Sequence, residues 1–428
     1  MTNASLFERD EVNRIRLHVK PTKQFKTFAI SVYIGQPLSE QTVTSTALIP
    51  FVMRRGTSAL PETKQFREKL DDLYGAGFGF DVYKRGDYQI VQFRMDVIHD
   101  QFVAGAEGLL RQGFEFVGST IADPLVENGA FREKYVTSEK DTLKKKLESI
   151  INDKIRYAAE RCTEEMCSGE PYRLYPLGRL EDLPSIDPAS LYSSYNNWLA
   201  EAPIDIYVVG DTTMDEVKRL VTAAFKIDRQ GAARYDKKVV HPQARATKEI
   251  VERLDVSQGK LNMGLRLPIT YVDEQYPAAL VYNGILGGYP HSKLFINVRE
   301  KASLAYYASS RLDGHKGILT LQSGIEIANF EKAKDIMQQQ LEAMVQGDIS
   351  DLELSQTKAM IANQLRESKD SAFETIGLDF NAQLSGRDRS VEQLIAATEA
   401  VDVAAIKQVA EQVRLDTIYF LRDRKGGQ

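Results

Sequence analysis

The chain has 428 residues, of which 43% are apolar and 27% are charged, and its formal net charge is −5. This length exceeds that of one ordinary hydrophobic core and predicts two or three domains. The negative charge disfavours non-specific binding to nucleic acid or to an anionic membrane surface.

The first half of the chain contains a strand, two helices, a hairpin, further helices and a closing strand. Alternating apolar residues indicate strands, and apolar residues at helical spacing indicate helices. In chain order we predict a strand at 28–34, helices at 44–55 and 61–73, hairpin strands at 78–83 and 88–97, helices at 102–118, 128–167 and 191–199, and a strand at 204–209.

The second half repeats this order. We predict a strand at 260–267, helices at 276–287 and 292–301, strands at 304–311 and 317–325, helices at 330–345, 352–384 and 404–413, and a strand at 418–421. Shifting the first half by 232 residues overlays strand on strand and helix on helix. The repeat predicts two homologous domains rather than one large core.

The predicted fold class is therefore α+β, with two homologous domains that each have a mainly antiparallel sheet and helices packed on one face. The first domain is predicted at 1–225 and the second at 243–428. The intervening residues 226–242 are polar and lack an apolar period, which is typical of a linker.

The sequence also favours a cytoplasmic location. Residues 1–16 include acidic side chains and no apolar segment, so we do not expect a signal peptide, and no run approaches the ~20 apolar residues of a membrane helix. The two cysteines, Cys162 and Cys167, fall within a predicted helix, and we interpret them as reduced thiols, as in a reducing compartment.

Local metal and nucleotide motifs are missing from the sequence. The five histidines, at positions 18, 99, 241, 291 and 315, form no His-x-x-x-His or His-x-x-Glu-His pair, so no helix presents two histidine ligands one turn apart. Glycine-rich phosphate loops and the Gly-x-Ser-x-Gly turn of serine hydrolases are also absent.

One short block occurs twice and carries the most chemistry. Arg67 and Tyr74 belong to the first copy of Arg-Glu-Lys-x-x-x-x-Tyr, and Arg299 and Tyr306 belong to the second. Arginine offers a planar fork of donors, and tyrosine offers a hydroxyl that can hydrogen-bond a peptide carbonyl or a developing oxyanion. From the residues alone, a helix-end arginine and a core tyrosine are the favoured interpretation of Arg299 and Tyr306.

The whole chain resembles the pitrilysin/insulinase family of zinc peptidases, in particular its two-domain, mitochondrial-processing-peptidase-like branch. The resemblance is carried by residues 292–301 (SKLFINVREK) with Leu304, Ala305 and Tyr306, and by residues 175–179 (YPLGR) followed by Leu183. It implies that Arg299 and Tyr306 bind the backbone of a peptide substrate near a metal.

The same resemblance exposes a missing metal site. The family's His-x-x-Glu-His motif precedes a Gly-Thr pair, here Gly56 and Thr57, which places Ala47 and Phe51 at the histidine positions and Pro50 at the general base. The third ligand, a glutamate downstream, is replaced by Lys140, with Glu139 beside it. We therefore expect no zinc in this chain.

The resemblance then implies a non-catalytic subunit of a heterodimeric zinc metalloendopeptidase, inactive alone. Its partner would be a homologous chain bearing His-x-x-Glu-His and zinc, and the two would enclose a peptide substrate. Arg299 and Tyr306 would be supplied in trans. A homodimer is equally compatible with the sequence.

Two alternatives remain open at this point. The chain could be a purely structural or peptide-binding homologue with no part in catalysis. It could also be a peptidase acting alone through a relocated metal site.

Overall fold

The computed structural model describes residues 6–231, 234–236 and 246–424. Outside the described residues lie 232–233 and 237–242 of the predicted linker, which include His241, and the chain ends at 1–5 and 425–428. The strands are β1 Glu8–Val12, β2 Ile15–Pro21, β3 Thr27–Pro37, β4 Gly77–Arg85, β5 Tyr88–Ile98, β6 Val126–Glu127, β7 Ala130–Phe131, β8 Ile204–Gly210, β9 Lys248–Leu254, β10 Gly259–Arg266, β11 Ala305–Asp313, β12 Ile318–Ile325 and β13 Arg414–Asp423.

The α-helices follow the same chain order, and two π-helical segments lie among them. The α-helices are α1 Val43–Met53, α2 Thr63–Asp72, α3 Leu109–Ala122, α4 Glu133–Ser149, α5 Lys154–Met166, α6 Pro188–Glu201, α7 Met214–Ala224, α8 Tyr276–Asn283, α9 Phe330–Gln346, α10 Asp351–Glu367, α11 Ala372–Ser385, α12 Val391–Glu399 and α13 Val403–Ala410. The π-helical segments are Gly284–Gly288 and Phe295–Lys301. None of the helices within the described ranges has the length and apolar character needed to cross a membrane.

The described residues form two compact units that interleave along the chain. The first unit comprises 6–148, 174–231, 234–236 and 371–384, and the second comprises 149–173, 246–370 and 385–424. The segment 149–173 therefore belongs with the second repeat, and 371–384 belongs with the first. The domain boundaries expected from sequence, at 225 and 243, remain a prediction. That prediction did not anticipate the exchange of segments 149–173 and 371–384.

The two main sheets have the same topology. The first has the strand order β1-β2-β8-β3-β5-β4 and the second has β11-β12-β10-β13-β9. Reading the first sheet from β4 matches it strand for strand with the second, and β1 is the one additional edge strand. The parallel pair of each sheet also corresponds, β2 with β8 and β9 with β13, while the other pairs are antiparallel. This confirms the predicted α+β class and its two homologous domains.

Helices α1 and α3 pack on one face of the first sheet. Gly113 of α3 lies so close to the sheet that a Cβ there would come within 3.3 Å of Val97 and 3.7 Å of Ile30. On the opposite face, α11 places Phe380 parallel to the ring of Tyr33, with centroids 3.8 Å apart. Central strands β3 and β8 are buried along nearly their whole length because both faces are covered.

The second sheet is covered in the same way. Helices α8, α9 and α13 bury the apolar residues of one face of β10, β12 and β13. On the other face, Ala158 and Cys162 of α5 pack against Tyr419 and Leu421. Gly264 permits this approach, since a Cβ there would lie 2.7 Å from the sulfur of Met166. Each sheet thus has its main helical layer on one face, as predicted, and a single additional helix on the other.

Two long helices predicted from sequence are interrupted in the structure. The predicted helix at 352–384 is divided by residues 368–371 into α10 and α11, which belong to different units. The predicted helix at 128–167 is divided near Asp153, whose side chain accepts a hydrogen bond from the backbone N–H of Arg156 and so caps α5. Apolar spacing continues across both breaks, which is why periodicity alone joined them.

Polar side chains fix α11 on its sheet. Asp379 of α11 accepts two hydrogen bonds from Arg9, at 2.6 and 2.7 Å, and one from the hydroxyl of Tyr207 at 2.9 Å. Nearby, the buried Asp205 accepts two hydrogen bonds from Arg16, at 2.7 and 2.6 Å, and lies 2.8 Å from His18 Nε2. The charges beneath this helix are therefore paired rather than isolated, as burial requires.

We predict that Phe380→Ala lowers the free energy of unfolding of the first unit by about 3–5 kcal/mol, because it removes a fully buried ring and leaves a cavity against Tyr33. The measurement is urea unfolding followed by circular dichroism. Phe102→Ala is the control, since Phe102 is 46% exposed and its loss leaves no buried cavity. Equal effects of the two substitutions would contradict the packing of α11 described above.

We also predict an acid-dependent contribution from Asp205. Burial acts to raise the pKa of Asp205, but hydrogen bonds and charge from Arg16 and His18 outweigh it and lower the pKa from 3.8 to about 2. The folded state therefore holds its proton less tightly than the unfolded state, and the stabilisation, roughly 2 kcal/mol, is present above about pH 4 and is lost as the pH falls towards 2. Melting temperatures of wild type and Asp205→Asn should converge across that interval, and a constant difference would refute the assignment.

Candidate functional site

The three residues at the expected metal-motif positions on the first repeat lie inside the apolar core. Every residue of α1 except Ser45 is buried, including Ala47, Pro50 and Phe51. The ring of Phe51 meets Phe80 edge-on, with centroids 4.9 Å apart. A helix that is buried around its circumference is a core element, and these three side chains contribute no lone pair to a metal.

The surroundings of Phe51 carry positive charge. The guanidinium of Arg54 lies 5.5 Å from the centre of its ring, and the ammonium of Lys146 lies 6.0 Å from it. Arg54 is itself paired with Glu139, so the lack of ligands, rather than the local charge, is what excludes zinc at these positions.

The expected third-ligand position, on α4, is committed to other contacts. Lys140 donates a hydrogen bond to the carbonyl of Ile186 at 2.5 Å. The adjacent Glu139 is fully buried and pairs with Arg55, and its second carboxylate oxygen lies 3.8 Å from Arg54. Glu139 thus neutralises arginines at the end of α1, a pairing that sequence reasoning missed and that the consecutive arginines directly after an apolar helix could have indicated.

These residues do not fit the zinc site of the family that the sequence resembles. Across residues 6–231, 234–236 and 246–424, no group of three or more His, Cys, Asp or Glu side chains is placed to hold a metal ion. Cys162 and Cys167 are both buried and form no disulfide, and burial strongly raises the pKa of Cys162, so its thiol is not a ready metal ligand.

Arg299 lies in the π-helical segment Phe295–Lys301 of the second unit. Its side chain is exposed, and its guanidinium stacks over the ring of Phe295, 4.5 Å from the centroid. The contact orients the arginine without neutralising it. Short π-helical turns are rare and frequently occur at functional sites.

Tyr306 lies at the beginning of edge strand β11, at a β-bulge. Ala305 pairs with Ile325 and Tyr307 pairs with Gly324, so Tyr306 is the extra residue between them. A bulge redirects a side chain away from the regular alternation of the strand. Tyr306 is accordingly 58% exposed, which is unusual for a large aromatic residue in a strand.

Arg299 and Tyr306 occupy elements that pack against each other within one unit. Neither side chain forms an ion pair or hydrogen bond with any other residue in the described part of the chain. The two donors are thus oriented by an aromatic ring and a bulge, and both remain available to a ligand. Their assignment to substrate binding stays a prediction.

The first copy of the block has a different local structure. Arg67 lies on α2, and Tyr74 lies in the turn that follows it, with a left-handed φ of 58°. The strand after this turn, β4, begins only at Gly77. Tyr74 is therefore placed by a turn, whereas Tyr306 is placed within a strand, so the two copies do not present equivalent donor pairs.

Comparison with known proteins shows similarity to one peptidase family. Residues 185–361 match the family described as "Peptidase M16 inactive domain". Over 409 residues the chain is 37% identical to "Probable inactive metalloprotease YmfF" of Bacillus subtilis (strain 168), with 96% of each chain covered. It is 23% identical over 420 residues to "Uncharacterized zinc protease YmxG" of the same strain, with 94% of each chain covered.

Solved structures give the same picture. A conserved protein from Enterococcus faecalis V583 superimposes with a TM-score of 0.93 at 32% identity, over 99% of this chain and 100% of that chain. A peptidase M16 inactive domain from Pseudomonas fluorescens superimposes with a TM-score of 0.81 at 16% identity, over 99% of both chains, a similarity that concerns the fold.

We predict that the purified full chain contains far less than one zinc ion per molecule, before and after incubation with excess zinc and gel filtration. The physical reason is the lack of metal-binding side chains at Ala47, Pro50 and Phe51. Elemental analysis by mass spectrometry is the measurement. Stoichiometric zinc that survives gel filtration would contradict this reading of the site.

Proposed function

The chain belongs to the pitrilysin/insulinase family of zinc peptidases, peptidase M16, as an inactive member without the His-x-x-Glu-His motif, and from this we propose that it is the non-catalytic subunit of a heterodimeric peptidase. Its 37% sequence identity to YmfF, over nearly the whole chain, confirms the family resemblance found in the sequence. The partner in this proposal is a homologous chain that bears the motif and zinc.

The observation that carries the proposal is the contrast between the two repeats. In the first repeat, the expected ligand positions are filled by buried apolar side chains. In the second, Arg299 and Tyr306 are exposed, locally oriented and without polar partners among the described residues. A pair of donors without a metal can bind a peptide and can complete a site whose metal is held by another chain.

The role of this chain would be to bind and orient the substrate. Two N–H groups of the Arg299 guanidinium can donate hydrogen bonds to the oxygen of one backbone carbonyl of the peptide. The Tyr306 hydroxyl can donate to a second carbonyl oxygen. Donors fixed at the position where negative charge develops stabilise the transition state more than the substrate. The hydrolytic step itself belongs to the partner in this proposal.

A second candidate function has an observation in its favour. The matched family is described as an inactive domain, and YmfF is described as a probable inactive metalloprotease. The chain could therefore be a structural or peptide-binding homologue that takes no part in catalysis. The two candidates differ in whether Arg299 and Tyr306 affect turnover.

The decisive experiment mixes this chain with a homologous chain containing His-x-x-Glu-His and follows cleavage of quenched fluorescent peptides. We predict activity only in the mixture, and a loss of about a hundredfold in kcat on Arg299→Ala or Tyr306→Phe, because one oriented donor to a developing oxyanion contributes at least that much. A neighbouring reading frame of similar length that encoded the motif would supply the partner to test.

The chain itself provides matched controls. Arg67→Ala and Tyr74→Phe remove the same side chains from the first copy of the block and should leave turnover unchanged. Normal turnover by a mixture carrying both Arg299→Ala and Tyr306→Phe would rule out the role in trans. If the isolated chain binds peptide but Arg299→Ala and Tyr306→Phe leave turnover by the mixture unchanged, the results favour a homologue that only binds peptide.

A further inference from the structure

Lys260 is a buried cation without an acidic partner. It lies on the central strand β10, and only 7% of its surface is exposed. Its ammonium donates to the amide oxygen of Gln258 at 3.1 Å, and no carboxylate in the described part of the chain forms an ion pair with it. Buried charges in proteins are ordinarily paired or bound to a ligand. The Lys260 ammonium is therefore a candidate to bind an anionic ligand.

A nearby strand, β11, places a further donor, Tyr307, beside this lysine. Gly324 pairs with Lys260 on one side and with Tyr307 on the other, and the Tyr307 ring folds across Gly324, where a Cβ would come within 2.4 Å of it. This brings the ammonium of Lys260 to 5.8 Å from the centre of the Tyr307 ring. Only a residue without a side chain at position 324 allows this approach.

Asn262 lies two residues along β10 and therefore on the same face of the sheet. It is 2% exposed, and its side-chain nitrogen has no hydrogen-bond partner. A buried amide donor left without a partner is unfavourable and rare. Its cross-strand neighbour Gln322 and the next residue across, Ser309, are partly exposed, so this face is reached from the side of β11.

One carboxylate, that of Asp153, lies near this cluster but is engaged elsewhere. It caps α5 by accepting the backbone N–H of Arg156 and makes no ion pair with Lys260. Burial, together with the charge of Asp153, raises the pKa of Tyr307 to about 12, so its hydroxyl stays protonated and available as a donor at neutral pH. Lys260, Asn262 and Tyr307 therefore supply one positive charge and two neutral donors, and Asp153 is the negative charge beside them.

We propose that Lys260, Asn262 and Tyr307 form a binding site for a peptide carboxylate, adjacent along β11 to the substrate-binding Tyr306. One cation with two neutral donors matches a singly charged group with two acceptor oxygens, whereas a phosphate dianion would exceed the charge available. The inference rests on the proposed peptide-binding function, because Tyr306 and Tyr307 are consecutive residues of one strand. The carboxylate can be a free C-terminus or an acidic side chain.

The test uses the full chain and three versions of one short unstructured peptide with an uncharged dye: the free C-terminal acid, its amide, and the amide with one internal glutamate. Fluorescence anisotropy gives the Kd of each. We expect the free acid, the glutamate peptide, or both to bind roughly tenfold more tightly than the plain amide, as for one charge-assisted hydrogen bond. The version that gains identifies the source of the carboxylate.

Lys260→Met keeps the length and apolar stem of the side chain and should abolish the gain while leaving amide binding intact. Lys332→Met, at an exposed lysine of α9, is the matched control and should keep it. If the wild type binds the free acid, the glutamate peptide and the plain amide with the same Kd, the carboxylate site is overturned. If Arg299→Ala also weakens the binding of all three peptides, the proposed function still stands.

Failure of every peptide to bind would count against the proposed function instead. In that case the thermal stability of the wild type in sodium acetate, compared with sodium chloride at equal ionic strength, tests the site alone. A melting temperature that rises with acetate in the wild type and in Lys332→Met, but not in Lys260→Met, supports the site. The absence of any acetate-specific rise overturns it.

Discussion

A sheet whose central strands are buried on both faces must be covered on both faces, and much of this structure follows from that constraint. Strands β3, β8 and β10 are buried almost throughout, and β13 is buried from Asp416 to Leu421. The main helical layer covers one face of each sheet, and a single helix, α11 or α5, covers the other. Removing either helix would expose aromatic and aliphatic side chains to water, at a cost proportional to their area.

The same constraint explains why the two compact units interleave. Helix α5 lies in the first half of the chain but belongs to the second unit, and α11 lies in the second half but belongs to the first. Each is fixed by paired charges as well as by packing. Asp379 of α11 binds Arg9 and Tyr207, while Tyr157 and Arg161 of α5 bind Glu252. These contacts are specific in geometry, so each helix is held in one register on its sheet.

The sequence predicted the features that depend on local pattern. Alternation and helical spacing located most strands and helices, and the repeated order of elements predicted two homologous domains. The substitutions at Ala47, Pro50, Phe51 and Lys140 could likewise be read directly, because a missing imidazole or carboxylate is visible in one letter. Loss of metal ligands is therefore among the easiest properties of such a chain to predict.

Features that depend on long-range contacts could not be predicted. The break between α10 and α11 leaves the apolar period unchanged, and it is meaningful only because α11 belongs to the other unit. The bulge at Tyr306 is a property of its register against β12, and the isolation of Lys260 depends on what three different strands and a helix place around it. Folding alone gives no reason for an uncompensated cation at Lys260 or for exposed, oriented donors at Arg299 and Tyr306, and the ligand proposed for the second unit would supply one.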